Sequence, residues 1–501
     1  MRLASVFCEG AVLQRGKPIC VWGEEKSGSL VTVKLNGNCT ETVVENGRWR
    51  AYLPATEAAV SLTLEVANDL GEMVKVTDIA VGEVWIAGGQ SNMEFLMKWD
   101  AEREAVLNTY KNPILRFYEV PKLSYDGQEV DEDHSHEGIW RKAVPDELAL
   151  FSAVGFYFAR KVQSFLGEVP IGIIGCNWGG TSASCWMTDG YLDGELAWYI
   201  AQREATKALD LDKEFATFKK TQAMHNNPEV KANMDRMMAT PITTPVKLLL
   251  PPEERDRFMR TKYAPFSQFR AAGLYETMLS KIIPYTAAGV IWYQGEEDAA
   301  KADVYAHLLG NMIQCWRDSW HDELPFIVAQ LTAYANPEEM QLDFTDIRAV
   351  QEYVAKTVPN THLVCTMDVG LPYDIHPKRK RPVGERMALQ AITKVYGGDV
   401  VCDSPEVAGA WKAPGKVVLR MLHCGDGLYI KGEAAEGFAL TVNGKTQTNM
   451  CVTANGDKLV ISCEAVAVDS RVLISYAQKD YCEVNLYSSE NLPVRPFVVQ
   501  L

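Results

Sequence analysis

Gly82-Glu83-Val84-Trp85-Ile86-Ala87-Gly88-Gly89-Gln90-Ser91-Asn92-Met93-Glu94 passes from four consecutive apolar residues into a glycine pair and a polar tail. The apolar run at 84–87 does not alternate with polar residues, as a strand with one wet face would. An unbroken run bounded by glycines fits a strand buried on both faces, the kind found in parallel sheets. Four more runs share this texture, at 171–174, 290–293, 326–329 and 363–367. Helical patterns stand between them; Phe151, Val154, Phe158, Val162 and Phe165 fall on one helical stripe. Strands alternating with helices predict an α/β domain over residues 81–395, its roughly five parallel strands covered on both sides.

The flanks differ. Residues 1–80 carry short β-rich segments at 19–23, 30–35 and 62–66, with Asn36-Gly37 and Asn46-Gly47 between such runs. Asn-Gly supplies the positive φ angles of a two-residue hairpin turn. Residues 396–501 repeat the pattern, with strands at 416–420, 438–442, 459–462 and 472–476 punctuated by Asn443-Gly444 and Asn455-Gly456. Short strands at this spacing predict a β-sandwich-like module at each end. Within the middle zone, residues 190–265 break the rhythm. They are charged, methionine-rich and helix-prone, and Pro241, Pro245, Pro251 and Pro252 stand near their end. An inserted helical subdomain and a longer crossover with a loop both fit.

At 501 residues the chain exceeds one ordinary domain. Its net charge of −15 argues against non-specific binding to nucleic acid or to an anionic membrane. No apolar run approaches the roughly 20 residues of a membrane span. Met1-Arg2-Leu3-Ala4-Ser5-Val6-Phe7-Cys8-Glu9 has no apolar signal core, so a cytoplasmic protein is expected. The 12 cysteines are scattered from Cys8 to Cys482 without a CxxC pair, which fits reduced packing residues better than disulfides or zinc.

Ligands of open parallel sheets bind beyond the C-terminal ends of the strands. Four of the apolar runs end in Gly-rich or polar segments: 88–94, 175–181, 294–298 and 368–377. Between them they supply a hydroxyl, an amide, carboxylates and an imidazole. A serine, a histidine and an aspartate at strand ends suit nucleophilic acyl transfer, because serine needs an imidazole to take its proton and a carboxylate to hold the ring. Ser91 follows two glycines at a strand end, where a tight turn exposes it, although a solvated turn serine has the same signature. It is not a lipase-type elbow, since position 93 is Met rather than Gly. His376 has Asp374 two residues before it; a plain loop histidine is the competing reading. His134 and His136 lie in an acidic stretch, 131–137, that mimics a metal cluster, but a solvated loop accounts for it and no second ligand group is visible. Glu296, Glu297 and Asp298 offer carboxylates for glycoside hydrolysis, yet they are adjacent, and a glycosidase pair must flank its substrate.

Taken together, four blocks resemble the sialate O-acetylesterase family of the SGNH (GDSL-like) hydrolase superfamily. They are the stretch from Gly82 to Glu94; Asn177-Trp178-Gly179-Gly180-Thr181 with Trp186-Met187; Gly289-Val290-Ile291-Trp292-Tyr293-Gln294-Gly295-Glu296; and Asp374-Ile375-His376-Pro377-Lys378 with Val383-Gly384-Glu385-Arg386. The flanks are similar too: Ala11-Val12-Leu13-Gln14-Arg15-Gly16-Lys17-Pro18, Val21-Trp22-Gly23, Phe151-Ser152-Ala153-Val154, and the stretch from Leu486-Tyr487 to Pro496-Phe497. The likeness covers nearly the whole chain, in order.

The resemblance implies a three-layer α/β/α SGNH-hydrolase domain and a serine esterase that removes O-acetyl groups from carbohydrates, sialic acids or plant polysaccharide fragments, without metal or organic cofactor. It implies Ser91 as nucleophile, His376 as base and then acid, and Asp374 as the acid that orients the ring. The oxyanion donors would be the Ser91 N–H, an N–H of Gly179-Gly180 and the Gln294 side chain. Trp85, Trp178, Trp186 and Tyr293 could stack on a sugar or serve as core aromatics, and Glu296 would stand behind the site. Two departures stand out. Glu297-Asp298 replace a usual Ser-Asn, and the acid lies two rather than three residues before the histidine, where Tyr373 stands, leaving Asp368 as a substitute. A non-catalytic carbohydrate-binding protein on the same scaffold is the alternative.

Overall fold

The computed structural model describes residues 1–128, 136–245, 252–335 and 342–501. Its centre is a sheet whose strands run in the order Asn112–Glu119, Ile171–Asn177, Met73–Gly89, Gly289–Tyr293, Phe326–Ala329 and Thr361–Val364. All neighbouring pairs in that series are parallel, and Trp140–Ala143 adds an antiparallel edge beside Asn112–Glu119. All five apolar runs therefore lie in or against the sheet, and Asn112–Glu119 is a sixth parallel strand among the described residues. That strand opens with Asn-Pro and carries Arg116, so it does not read as a buried strand. Its buried guanidinium is absorbed by the Gly10 carbonyl (2.9 Å) and the Asp78 carboxylate (2.9 Å).

The 17-residue strand Met73–Gly89 has two textures. Its first half alternates exposed and buried side chains and pairs antiparallel with Ala59–Asn68; from Ile79 onward it is buried throughout. Residues Ala80 to Gly82 pair with Val12–Gln14, and Glu83 to Gly89 pair with Ile171–Asn177. The N-terminal β layer thus passes into the central sheet through one uninterrupted strand, and the two share one hydrophobic core. Side chains three apart on this strand meet different helices. Trp85 packs edge-on against Phe158 of helix Ala153–Leu166, whereas a Cβ at Gly88 would touch Trp316 of helix Ala302–Trp320.

Residues beyond 405 form two four-stranded antiparallel sheets and a two-stranded ribbon around a separate core that includes Leu419, Ile461, Leu440 and Ile474. Between 190 and 265 the chain is helical: Ala197–Ala205, Leu211–His225, Pro228–Ala239 and Pro252–Thr261. The insertion is tied down by Asp235, which accepts from Lys98 Nζ (2.7 Å) and Trp99 Nε1 (2.8 Å). The cysteines are unpaired, and most are buried. No described helix is long and apolar enough to cross a membrane, and no described residues form a group that could hold a metal ion; His134 lies outside the described residues.

Candidate active site

The C-terminal ends of the central strands carry the site. Met73–Gly89 ends in a turn that only glycine permits: Gly89 has φ +136°, and a Cβ there would lie 2.2 Å from the Tyr293 carbonyl oxygen of the neighbouring strand. The Gln90 N–H donates to that same oxygen (3.0 Å). The chain then enters a four-residue helix, Ser91–Glu94. Ser91, its first residue, has an N–H with no carbonyl a turn earlier to accept it, and that N–H makes no hydrogen bond within the described residues.

His376 comes from the loop between Thr361–Val364 and helix Arg381–Lys394. Its Nε2 lies 2.8 Å from Ser91 Oγ, across 285 residues of sequence. Burial, Lys380 and then Lys378 pull the imidazole pKa down to about 3, so the ring is neutral and can take the hydroxyl proton.

Asp374 is fully buried but does not hold the ring. Its carboxylate accepts the backbone N–H of His376 (3.1 Å) and of Ile242 (3.2 Å), and pairs with Lys378 Nζ (3.0 Å). In this geometry it meets His376 through the main chain, whereas the expectation placed it against the ring. Asp368 is no substitute: both its oxygens are taken by Arg386, at 2.7 and 2.8 Å.

The expected oxyanion donors separate. Gly179 lies against the nucleophile, with a Cβ position 3.2 Å from Ser91 Cβ, but its N–H donates to Glu94 Oε2 (2.6 Å). Gly180 follows with φ +73° beside Phe269. Gln294 is wholly buried and its amide is committed: Nε2 donates to Asp298 Oδ2 (2.7 Å) and Thr181 O (3.2 Å), and Oε1 accepts from Tyr305 (2.8 Å). With both amide hydrogens spent, Gln294 is a strut in this geometry rather than an open donor. Asp298, from the Glu297-Asp298 departure, supplies that anchor. Its neighbour Glu297 pairs with Lys262 from the edge of the helical insertion.

Three of the four expected sugar platforms are core residues, Trp85 among them. Trp186 is fully buried, with its indole N–H on Thr181 Oγ1 (3.0 Å), and Tyr293 is fully buried too. Trp178, half-buried beside Gly179, remains available. Glu296 is buried behind the site, where it accepts from Asn92 Nδ2 and burial raises its pKa.

Sequence reasoning missed Asn92 and Lys380. Asn92, fully buried, donates to the Ile375 carbonyl (3.0 Å) and to Glu296, and accepts from Lys380 Nζ. Lys380 is fully buried as well, with its pKa pulled down to about 7 by burial. It sits in the basic run 378–381, which reads as a solvated face.

A family model described as carbohydrate esterase, sialic acid-specific acetylesterase, matches residues 261–393, which include Gln294 and His376. The sialate O-acetylesterase of Rattus norvegicus is 26% identical over 436 residues, covering 79% of this chain and 74% of that one. That of Mus musculus is 24% identical over 433 residues, with the same coverage. The crystal structure of a carbohydrate acetylesterase from Xanthomonas citri superposes with a TM-score of 0.75 at 27% identity and covers 99% of both chains. The chain is thus similar over residues 261–393 to the sialic acid-specific acetylesterase family of carbohydrate esterases, and over most of its length to sialate O-acetylesterases and a carbohydrate acetylesterase.

Proposed function

We propose that this carbohydrate O-acetylesterase works through Ser91 and His376, on a three-layer α/β/α scaffold of SGNH type. The observation that carries the reading is the 2.8 Å contact between Ser91 Oγ and a neutral His376 Nε2. Ser91 attacks the acetyl carbonyl as its proton passes to His376. The oxyanion forms beside the Ser91 N–H, which no described residue accepts, and takes a hydrogen bond from it. The Gly179 N–H joins as a second donor once the Glu94 carboxylate is displaced from it. His376 then protonates the departing sugar oxygen, leaving an acetyl-serine. Water, deprotonated by the same ring, releases acetate and regenerates Ser91. Residues 81–395 hold this chemistry; 1–80 and 396–501 support and shape it.

The substrate class is an acetylated sugar, with sialic acids and plant polysaccharide fragments as the two candidates. Glycoside hydrolysis is disfavoured, because Glu296, Glu297 and Asp298 are each bound to a protein partner: Asn92, Lys262 and Gln294. The test is acetate release from acetylated sialic acid, xylan and mannan fragments by the wild type and Ser91→Ala. Acetate release that requires Ser91 is the expected result; no release from any of them by the wild type would leave the non-catalytic binding protein as the better reading.

A further inference from the structure

We propose that Asn92 and Lys380 are positioning residues of this reaction, forming a buried amide–ammonium bridge that locks the histidine loop to the nucleophile turn. The inference rests on the Ser91–His376 reading and adds how the pair is held. Asn92 follows the nucleophile by one residue, and its Nδ2 donates to the carbonyl of Ile375, one residue before the base (3.0 Å). One side-chain hydrogen bond thus spans the two catalytic segments next to their working residues. The same amide donates to Glu296, which ties the turn to the end of Gly289–Tyr293. Its oxygen accepts from Lys380, four residues after His376.

Lys380 is in turn enclosed. Its ammonium lies 4.5 Å from the centre of the Phe95 ring and 5.7 Å from that of Tyr293. Its backbone N–H donates to Asp100 Oδ2 (3.1 Å), and Asp100 accepts from Tyr157 (2.8 Å) on helix Ala153–Leu166. The charged groups acting on it are Glu296 from the neighbouring strand end, Asp100 from the segment after the nucleophile helix, and Lys378 and Asp374 from its own loop. Since the Asp374 carboxylate is spent on the backbone N–H groups of His376 and Ile242 and on Lys378, the ring angle of His376 is set by this main-chain clamp. The Lys380 charge also disfavours a protonated His376.

The test uses the full chain and 4-nitrophenyl acetate, with kcat, KM and the pH profile of kcat/KM measured for four variants. Asn92→Ala and Asn92→Asp both lose the donor to Ile375, and Asn92→Asp keeps an acceptor for Lys380. Both are expected to lose roughly 10²-fold in kcat, the scale of an ångström-level misplacement, with KM nearly unmoved. Lys380→Met and Lys380→Gln remove the charge. Both are expected to move the acid limb of the profile upward, and Lys380→Gln, which still donates to Asn92, retains more kcat than Lys380→Met. A merely structural role would lower stability without moving that limb. If Ser91→Ala is inactive while folded Asn92→Asp and Lys380→Gln keep wild-type kcat and an unmoved acid limb, the bridge is overturned. If Ser91→Ala itself retains turnover, the underlying Ser91 reading fails instead.

Discussion

Gln294→Met separates two roles that the same residue could play. The substitution conserves volume and removes the amide. In the structure that amide makes one hydrogen bond to a carboxylate, Asp298 at 2.7 Å, one to the Thr181 carbonyl at 3.2 Å, and one from Tyr305 at 2.8 Å. Tyr305 keeps an alternative acceptor in the Gln294 carbonyl (3.2 Å), and Asp298 keeps the Ala183 N–H (3.0 Å) and Tyr199 (3.2 Å). The net loss is therefore one charge-assisted bond, about 1.5–3 kcal/mol, and one neutral bond, about 0.5–1.5 kcal/mol. A destabilisation of about 2–4.5 kcal/mol follows, readable by urea unfolding at constant m-value. An open oxyanion donor would behave in the opposite way, with a loss of about 10²–10³-fold in kcat on removal. The committed geometry predicts a clear drop in stability and, per active site counted with a fluorophosphonate, a kcat loss well short of that range. A loss of about 10²–10³-fold with unchanged stability would refute the strut reading, because it would mean that the amide turns to the substrate during catalysis.

That example shows where the sequence was legible and where it was not. Continuous apolar runs announce strands buried on both faces, and the strand-end rule then points to Ser91 and His376, which the fold brings within 2.8 Å. Asn112–Glu119 escaped because Arg116 looks solvated, while its charge is met inside by Asp78 and a carbonyl. A strand can also change neighbours without changing course, and Met73–Gly89 passes through residue 80 with only its burial pattern altered. The harder limit is hydrogen-bond valence. Residue type says that Gln294 can donate and Asp374 can accept; it does not say that Asp298 already holds the first and Lys378 the second. Aromatic type likewise does not separate Trp186, sunk in the core, from Trp178 at the rim. Lys380 is hidden for a related reason: in a run of four basic residues, burial alternates with exposure along a loop that has no regular period.

Ser91→Ala and His376→Ala should each cost on the order of 10⁶-fold in kcat, because nucleophile and base act as one unit, and a Ser91→Ala protein with a tenth of wild-type turnover would end the proposed mechanism. The acid limb of kcat/KM should lie well below the ordinary imidazole value, because burial, Lys380 and Lys378 bring His376 to about 3. The ring is neutral above that value and loses its function as base only as the pH falls through it, so a limb between 6 and 7 that Lys380→Met leaves in place would contradict this electrostatic account. Asp368→Asn should cost stability through the lost Arg386 pairing and leave that limb unmoved. Asp374→Asn is the more telling carboxylate change. An acid bonded directly to the ring costs about 10⁴-fold when converted to the amide, because the tautomer and the counter-charge are both lost. Of His376, Asp374 touches only the backbone N–H, and the asparagine oxygen can still accept from it. What disappears is the charge that neutralises Lys378, which then destabilises the imidazolium formed in the transition state. The expected loss is therefore smaller, roughly 10–10²-fold, and Lys378→Met in the same chain should recover most of it. A loss of about 10⁴-fold in a folded Asp374→Asn protein, with no recovery from Lys378→Met, would show that the carboxylate reaches the ring during turnover.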